Sequence, residues 1–409
     1  MKNMIVFFFF LSTTFVLLSC GNGIVNESFN ETRELTPLEK VVVERSNLFA
    51  FDIVKEINKH SINQNLFISP LSLYMALGMT YNGADGTTKE AMAQTLHIEG
   101  MSDIDFNKSA KSLIQLLTSL DPGLVMKIAN SIWIRQGFFV ESNFTTTNKN
   151  YFNATVSDID LNDPNAVNIL NDWVSINTEG YIPKLIDFIS KDVVMYLINA
   201  VYFDGKWTYT FDKNLTYTTD FRLPDGSLKP CQMMKQQNEY NFYSGALFTA
   251  VEIPYGNENF CFTLILPNEN MDVESLIAAL NPDDWDKISN EFHKETVNIS
   301  IPKFKFQHDV EKLDAVLKQL GMGICYNNGV ADFTRINKEG GLSISEVKHK
   351  TYIEVDEEGS KAAAATSVAI VKTSLPNPII CNRPFIFLIR ENNSQSILFI
   401  GKVTDPIFE

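Results

Sequence analysis

Few side chains in this sequence are suited to acid–base or metal chemistry. No two of its five histidines have the spacing of a metal-binding pair: His60, His97, His293, His308 and His349. The chain has no GxSxG, HExxH or glycine-rich phosphate loop, the motifs of elbow hydrolases, zinc peptidases and nucleotide enzymes. A Ser/His/Asp triad assembled from distant residues is the alternative left open. We expect no catalytic activity, no metal and no cofactor.

His349 begins an alternating run, HKTYIEV, that ends at Val355. In a strand, alternate side chains share a face, so His349, Thr351, Ile353 and Val355 would face the core. A buried imidazole without a partner is costly. We interpret His349 as a structural residue whose partner comes from another strand.

A second unusual stretch runs from Glu357 to Ser374, EEGSKAAAATSVAIVKTS. Its four alanines favour helix, but Gly359 precedes them, β-branched residues follow, and Pro376 comes soon after. The stretch could be a helix, a linker or a strand that lacks a partner.

The composition indicates a large globular protein. The chain has 409 residues, of which 45% are apolar, so it can fill a sizeable core. Its net charge of -15, without a basic stripe, argues against nucleic acid as a partner.

The N-terminus has the pattern of an export signal. Lys2 precedes an apolar run too short to span a bilayer comfortably, and Leu17-Leu18-Ser19-Cys20 resembles a bacterial lipobox. We predict a signal peptide over residues 1–19, lipid on Cys20, a polar flexible tether over 20–35 and one domain over 36–409. The expected product is an outer-membrane lipoprotein, facing either the periplasm or the outside. A plain secretory signal with a chance cysteine is the alternative.

Four further cysteines lie far apart in the sequence: Cys231, Cys261, Cys325 and Cys381. None belongs to a CxxC motif, so we interpret them as isolated buried thiols. Disulfide pairing, which an exported chain allows in any of three ways, is the alternative left open.

Hydrophobic periodicity predicts an α+β fold. Helices are expected at 38–60, after Ser69-Pro70, and at 89–96, 106–120, 164–177 and 310–320. Strands are expected at 125–134, 193–203, 251–255, 260–266, 297–306, 342–355, 385–390 and 397–403. Helices come first and strands later, without βαβ alternation or a linker, which favours one domain.

Three blocks of the chain resemble the serpins. They are NLFISPLS at 65–72, LINAVYFDGKW at 197–207, and RPF at 383–385 with LFIGKV at 398–403. The likeness extends from about Leu38 to Pro406 and includes the stretch from Glu357 to Ser374. It implies a large central β-sheet with two further sheets, a helical cap and an exposed reactive-centre loop. Inhibitory serpins are monomeric suicide substrates: a protease cleaves the loop, which inserts as a strand and traps the acyl-enzyme.

The family's spacing, counted from Gly359, places the reactive bond at Thr373-Ser374, with Lys372 as an alternative cleavage point. The bait segment is then Val368, Ala369, Ile370, Val371 and Lys372. The hinge is Gly359, Ser360, Lys361, Ala362, Ala363, Ala364, Ala365 and Thr366.

Strand alternation indicates which hinge and bait side chains would be buried after insertion. Ser360 would enter the sheet first, and the buried face would carry Ser360, Ala362, Ala364, Thr366, Val368 and Ile370, all uncharged. Ladder hydrogen bonds at about 1 kcal/mol each are nearly cancelled by backbone ordering at about 1 to 2 kcal/mol per residue. A strained, metastable starting sheet must therefore supply most of the driving force.

The resemblance also assigns two regions of the sheet. The shutter, beneath the sheet opening, would be Ser69, Ser72, Asn199 and His349. The breach, where the loop first inserts, would be Glu357, Lys303 and Trp207, and we expect an ion pair between Glu357 and Lys303.

The bait residues predict a broad inhibitor. Thr373 suits elastase-like and subtilisin-like pockets, and Lys372 suits a trypsin-like pocket with an acidic base. Cleavage at Thr373-Ser374 alone is the narrower alternative, and whether cysteine proteases are also trapped is left open. A non-inhibitory binding or structural role is the competing function. The hinge argues against it, because non-inhibitory members often carry charged or bulky residues there.

Overall fold

The computed structural model describes residues 33–360 and 378–408. Its helices are α1 (Pro37–Asn58), α2 (Pro70–Tyr81), α3 (Gly86–Thr95), α4 (Asp103–Leu117), α5 (Ser142–Phe152), α6 (Ala166–Asn177), α7 (Val273–Ala279), α8 (Pro282–Ser289) and α9 (Leu313–Gln319). Its strands are β1 (Leu66–Ile68), β2 (Val125–Arg135), β3 (Thr155–Ile159), β4 (Met195–Lys206), β5 (Tyr217–Arg222), β6 (Leu228–Ser244), β7 (Phe248–Tyr255), β8 (Phe260–Pro267), β9 (His293–Pro302), β10 (Phe304–Asp309), β11 (Lys350–Val355), β12 (Gly359–Ser360), β13 (Pro378–Ile380), β14 (Phe385–Glu391) and β15 (Ile397–Val403). The predicted α+β class is confirmed.

Local sequence explains where the first helix begins. The Thr36 hydroxyl accepts from the Glu39 N–H, and the Glu39 carboxylate accepts from the Thr36 N–H at 2.7 Å. This capping box, with Pro37 in the first turn, stabilises the start of α1. Its apolar stripe, which includes Val42, Phe49 and Ile53, is buried.

The largest sheet has nine strands within the described residues. Their order is β1-β15-β14-β8-β7-β6-β9-β13, and β5 pairs with β6. Every residue of β8, β14 and β15 is buried, and α1 and α2 pack on β15. The rings of Phe262 and Phe387 stack with centroids 4.8 Å apart. This sheet and its helices hold most of the apolar core.

The other strands form two smaller sheets, ordered β12-β4-β2-β3 and β10-β11. β9 of the nine-stranded sheet continues into β10 through a single residue, Lys303. β12 begins four residues after β11 ends yet pairs with β4, so β4 and β11 lie side by side. Across residues 33–360 and 378–408, no strand pairing joins β4 to β11. We call the interval between them the gap.

Two strand predictions are wrong in extent. The expected strand at 297–306 is divided at Lys303 between two sheets. The expected strand at 342–355 begins only at Lys350, because backbone groups before it bond elsewhere. The Val347 N–H donates to the Asp314 carboxylate at 2.8 Å, and the Ile344 N–H donates to the Cys325 carbonyl at 2.9 Å.

The four cysteines that the structure describes are free and buried, as expected: Cys231, Cys261, Cys325 and Cys381. No helix in the described part of the chain has the length and apolar character needed to cross a membrane.

Candidate functional site: the gap between β4 and β11

The upper end of the gap is where the chain leaves β11 and turns to β4. Gly359 pairs with Lys206, and Ser360 pairs with Gly205, both antiparallel. Gly359 has φ +154°, and a Cβ there would lie 2.2 Å from the Gly205 carbonyl oxygen, so a larger residue does not fit. Ser360 is buried, and its hydroxyl lies 2.7 Å from the Tyr255 hydroxyl.

The breach contains the expected ion pair. Lys303 Nζ lies 2.7 Å from Glu357 Oε2, and the Thr216 hydroxyl donates to the other carboxylate oxygen at 2.8 Å. Burial opposes ionisation of Glu357, but the hydrogen bonds from Lys303 and Thr216 outweigh it, so its pKa lies below the usual value. The buried carboxylate is therefore ionised and paired at neutral pH.

Trp207 fixes the turn between β11 and β12. Its indole N–H donates to the Asp356 carbonyl at 2.9 Å, and its backbone N–H donates to the Glu358 carbonyl at 3.0 Å. Its ring stacks on Tyr255 with centroids 4.5 Å apart. Because Tyr255 also contacts Ser360, the aromatic pair supports the start of β12 from below.

Residues near the C-terminus also contact Lys303 and its neighbour Lys305. Its Nζ lies 4.5 Å from the centroid of the Phe408 ring, and the Lys305 N–H donates to the Ile407 carbonyl at 2.6 Å. The cation is thus held between a carboxylate and an aromatic face.

The shutter residues meet beneath the gap at the N-terminus of α2. His349 Nε2 accepts a hydrogen bond from the Ser69 N–H at 3.0 Å. The Ser69 hydroxyl donates to the Leu398 carbonyl at 2.8 Å and accepts from the Ser72 N–H. The face of His349 and β11 is buried as predicted. Its partner, however, is a helix-capping residue and not another strand, which corrects that expectation.

The other side of the gap is tied to the same helix end. The Ser72 hydroxyl donates to the Asn199 side-chain oxygen. The Asn199 amide donates to Asn130 of β2 at 2.7 Å, and Asn130 donates to the Phe152 carbonyl at 2.7 Å. One helix N-terminus therefore bridges β4 and the residue before β11.

His349 is neutral in this arrangement. Burial, reinforced by repulsion from His308, lowers its pKa to about 3. A neutral ring with an unprotonated Nε2 is what the Ser69 N–H requires, since that nitrogen must accept.

Two cavities lie along the gap. The upper cavity, of about 30 Å³, lies below Ser360 between Tyr202 and Tyr352. The lower cavity, of about 250 Å³, lies between the first residues of β4 and residues 341–348. Unpaired strand edges beside open space can accept an added strand.

Several predicted site residues lie outside the described part of the chain. They are Cys20, the rest of the hinge (Lys361, Ala362, Ala363, Ala364, Ala365, Thr366), the bait (Val368, Ala369, Ile370, Val371, Lys372) and the reactive bond (Thr373-Ser374). Their roles stay predictions.

Sequence reasoning missed Tyr255, Asn130, Thr216 and Phe408 as neighbours of the site. Tyr255 ends a predicted strand, and Phe408 is two residues from a proline near the chain end. Neither position carries a sequence signal for its contact. Within residues 33–360 and 378–408, no cluster of three or more His, Cys, Asp or Glu could hold a metal.

Comparison with known proteins agrees with this geometry. The family described as Serpin (serine protease inhibitor) matches residues 44–406. The chain is 31% identical over 370 residues to the leukocyte elastase inhibitor of Xenopus laevis, covering 88% of this chain and 97% of that protein.

Solved structures give the same result. The native thermophilic serpin tengpin superposes with a TM-score of 0.81 at 32% identity, over 92% of this chain and 97% of that chain. Human thyroxine-binding globulin complexed with its hormone superposes with a TM-score of 0.82 at 26% identity, over 91% of this chain and 100% of that chain.

Proposed function

The chain belongs to the serpin family, whose members are in general protease inhibitors, and we propose that it is a suicide-substrate inhibitor of serine proteases. The observation that carries the proposal is the start of a strand at the open gap. Within the described residues, β12 pairs with β4 at Gly359 and Ser360, and no described strand pairs with the edge of β4 beyond them on that side. A cleaved loop can extend β12 into this edge.

The register of β12 supports insertion of the remaining hinge. If the antiparallel pairing of Ser360 with Gly205 continues, Ala363 would lie opposite Tyr202, and Thr366 would lie opposite Asn199 in the shutter. Small and uncharged residues at these positions suit a strand that must pass between existing side chains.

The chemistry begins in the protease. Its serine attacks the Thr373 carbonyl, the bond to Ser374 breaks, the new amine takes a proton, and an ester joins the two proteins. The hinge beyond Ser360 then inserts, so Thr373 and the attached protease move along the sheet. The inhibitor's own role is mechanical, since none of its residues acts on the bond.

The breach and the shutter would restrain insertion until cleavage. Glu357, Lys303 and Trp207 hold the turn above the gap, while Ser69, Ser72, Asn199 and His349 join its sides below. In this proposal, these contacts hold back insertion of the loop until the protease cuts it.

The target class is proposed from the bait. Thr373 suits elastase-like and subtilisin-like enzymes, and Lys372 suits trypsin-like enzymes. The likeness to a leukocyte elastase inhibitor supports the first. Cysteine proteases are a further class to test, because they also form acyl-enzymes. Lipid on Cys20 would hold the inhibitor at the outer membrane, and globomycin-sensitive processing with radiolabelled palmitate incorporation tests this anchor.

A direct experiment mixes the full chain with elastase, subtilisin or trypsin. We expect a complex of higher mass that resists SDS, and mass spectrometry of the released peptide would identify the bond that is cut. Clean cleavage with every protease, without a complex, would favour the binding or structural alternative. Human thyroxine-binding globulin, which shares the fold and is complexed with its hormone, illustrates that alternative.

A further inference from the structure

One aromatic side chain contacts both sides of the gap. The Tyr181 ring stacks on Tyr202 of β4, with centroids 5.8 Å apart and planes 14° apart. It also stacks on Tyr352 of β11, with centroids 4.7 Å apart and planes 28° apart. Tyr181 belongs to neither strand, because it follows α6 in the chain.

The backbone of Tyr181 is anchored to two elements. Its N–H donates to the Thr178 carbonyl at 2.9 Å, which ties it to the end of α6. Its carbonyl accepts from the Gln307 side chain of β10 at 2.9 Å. The Tyr181 ring therefore lies over the gap, while its backbone is attached to the β10-β11 sheet.

The two rings on which Tyr181 stacks are also held in place. The Tyr352 hydroxyl donates to the Glu354 carboxylate at 2.6 Å, and the Tyr202 hydroxyl donates to the Asp204 carboxylate at 3.2 Å. Each strand thus fixes its own ring through the residue two positions further on, which lies on the same face.

Insertion of a strand would act on both stacks. The cavity beneath Tyr181 is about 30 Å³, room for about two waters and not for a strand. A strand between β4 and β11 needs roughly 4.8 Å on each side. Any movement of β4 away from β11 that makes this room weakens the contacts of a ring that stacks on both strands.

We propose that Tyr181 is a positioning residue, an aromatic clasp that joins β4 to β11 and opposes their separation when the loop inserts. The inference rests on the proposed inhibitory function for its biological meaning, but the clasp itself can be tested without a protease. Sequence analysis gave no sign of it, because the three tyrosines are far apart in the chain.

The first experiment follows spontaneous conversion of the full chain to inserted or polymeric forms on warming, by native gel. A stacked pair contributes enough that its loss should speed opening roughly 2- to 12-fold. We expect this rate increase for Tyr181→Ala and for Tyr181→Leu, which retains apolar bulk but not the ring. Tyr181→Phe retains the ring and should convert more slowly than Tyr181→Leu.

A double-mutant cycle separates the clasp from general loosening. Tyr181→Ala combined with Tyr352→Ala should convert no faster than the faster single variant, because both remove the same contact. Tyr217 lies at an exposed site on β5. When Tyr181→Ala is combined with Tyr217→Ala, the increase in conversion rate should equal the product of the increases for the two single variants. Wild-type rates for Tyr181→Leu, or multiplied effects for the Tyr181 and Tyr352 pair, would overturn the proposal.

Protease trapping supplies a readout for the reaction itself. If the clasp opposes insertion, Tyr181→Leu should need fewer inhibitor molecules per trapped protease than wild type, since insertion then competes better with hydrolysis. If wild type forms no complex with any protease, the proposed function fails, while the conversion rates still decide whether Tyr181 is a clasp.

Discussion

β14 of the nine-stranded sheet is paired on both edges, with β8 and with β15. Among the strands that the structure describes, β4 of the β12-β4-β2-β3 sheet is paired along its length with β2 alone. On its other edge, β4 meets β12 for two residues. Paired strands satisfy their backbone groups within the sheet, and unpaired edges do not. β14 therefore has no free edge, whereas β4 has an edge at which the proposed insertion would add a strand.

The two sheets also differ in what holds them. Most side chains of β14 and β15 are aromatic or aliphatic, and they pack beside the buried ion pairs of Arg390 and Lys402. The sides of the gap are joined instead by individual contacts, which are the Lys303–Glu357 ion pair, the hydrogen bonds of Ser69 and Ser72, and the Tyr181 stacks. Individual contacts can break one at a time, which lets a sheet open without the domain unfolding.

The largest expected effect comes from a charge at the start of the inserting strand. Ser360→Arg would place a cation at a site that is now buried against Tyr255. We expect protease complexes to fall by at least 100-fold, with clean cleavage in their place on SDS gels. Ser360→Ala is the control and should still form complexes. Normal trapping of proteases by Ser360→Arg would contradict a role for the hinge in insertion.

A core change in the nine-stranded sheet should act on unfolding instead. Phe387 is fully buried in β14, and Phe387→Ala should lower the free energy of unfolding by about 3–5 kcal/mol in denaturant titration. The folded fraction should still trap proteases at the wild-type ratio. Phe188→Ala, at a side chain that is 70% exposed, should change little. Equal losses for both variants would contradict the contrast between the sheets.

Removal of the Lys303 side chain from the breach should make premature opening of the gap faster. Lys303→Ala leaves the buried Glu357 carboxylate without its charged donor, and such hydrogen bonds contribute about 1.5–3 kcal/mol. Conversion on warming should become roughly 10- to 150-fold faster, and adding Glu357→Gln should restore part of the difference. Lys305→Ala, which keeps the ion pair, is the matched control. Unchanged polymerisation and inhibition in Lys303→Ala would remove the ion pair's role.

The buried His349 of the shutter predicts that the free energy of unfolding depends on pH. Burial lowers the folded-state pKa of His349 to about 3, below about 6.5 for an unfolded histidine. The unfolded chain therefore binds a proton first, and stability falls as pH drops from 6.5 towards 3, by about 2 kcal/mol between pH 7 and pH 5. His308 is partly buried, and its pKa is also lowered, so it contributes in the same direction.

A histidine substitution isolates the shutter's share of that loss. His349→Gln should lose less stability between pH 7 and pH 5 in denaturant titrations, because glutamine does not titrate there. His293→Gln, at an exposed histidine, should keep the wild-type profile. Identical profiles for all three proteins would contradict a neutral buried His349.

Elements with strong local signals were predictable from the sequence. The start of α1 follows from Thr36 and Pro37, and the buried face of β11 follows from its period of two. The helix α8 was missed although Asn281 and Pro282 form an N-terminal signal. The long strand β6 was missed because its exposed residues are polar and its pairing depends on β5, β7 and β9.

Contacts across the gap were predictable only where the resemblance to the serpin family placed the residues together. The Lys303–Glu357 pair joins residues 54 positions apart, and only the resemblance placed them together. The division of one apolar run at Lys303 between two sheets is set by tertiary pairing. The Tyr181 stacks and the Phe408 contact leave no local pattern at all, because each depends on where distant segments meet.

The most direct test of the central claim follows backbone amide exchange before and after a protease cuts the loop. The amides of β4 and β11 that point into the gap should become at least 100-fold more protected after cleavage, because a new strand pairs with them. Those of β14, already paired on both edges, should not change. Equal exchange in β4 and β11 before and after cleavage would contradict insertion into the gap.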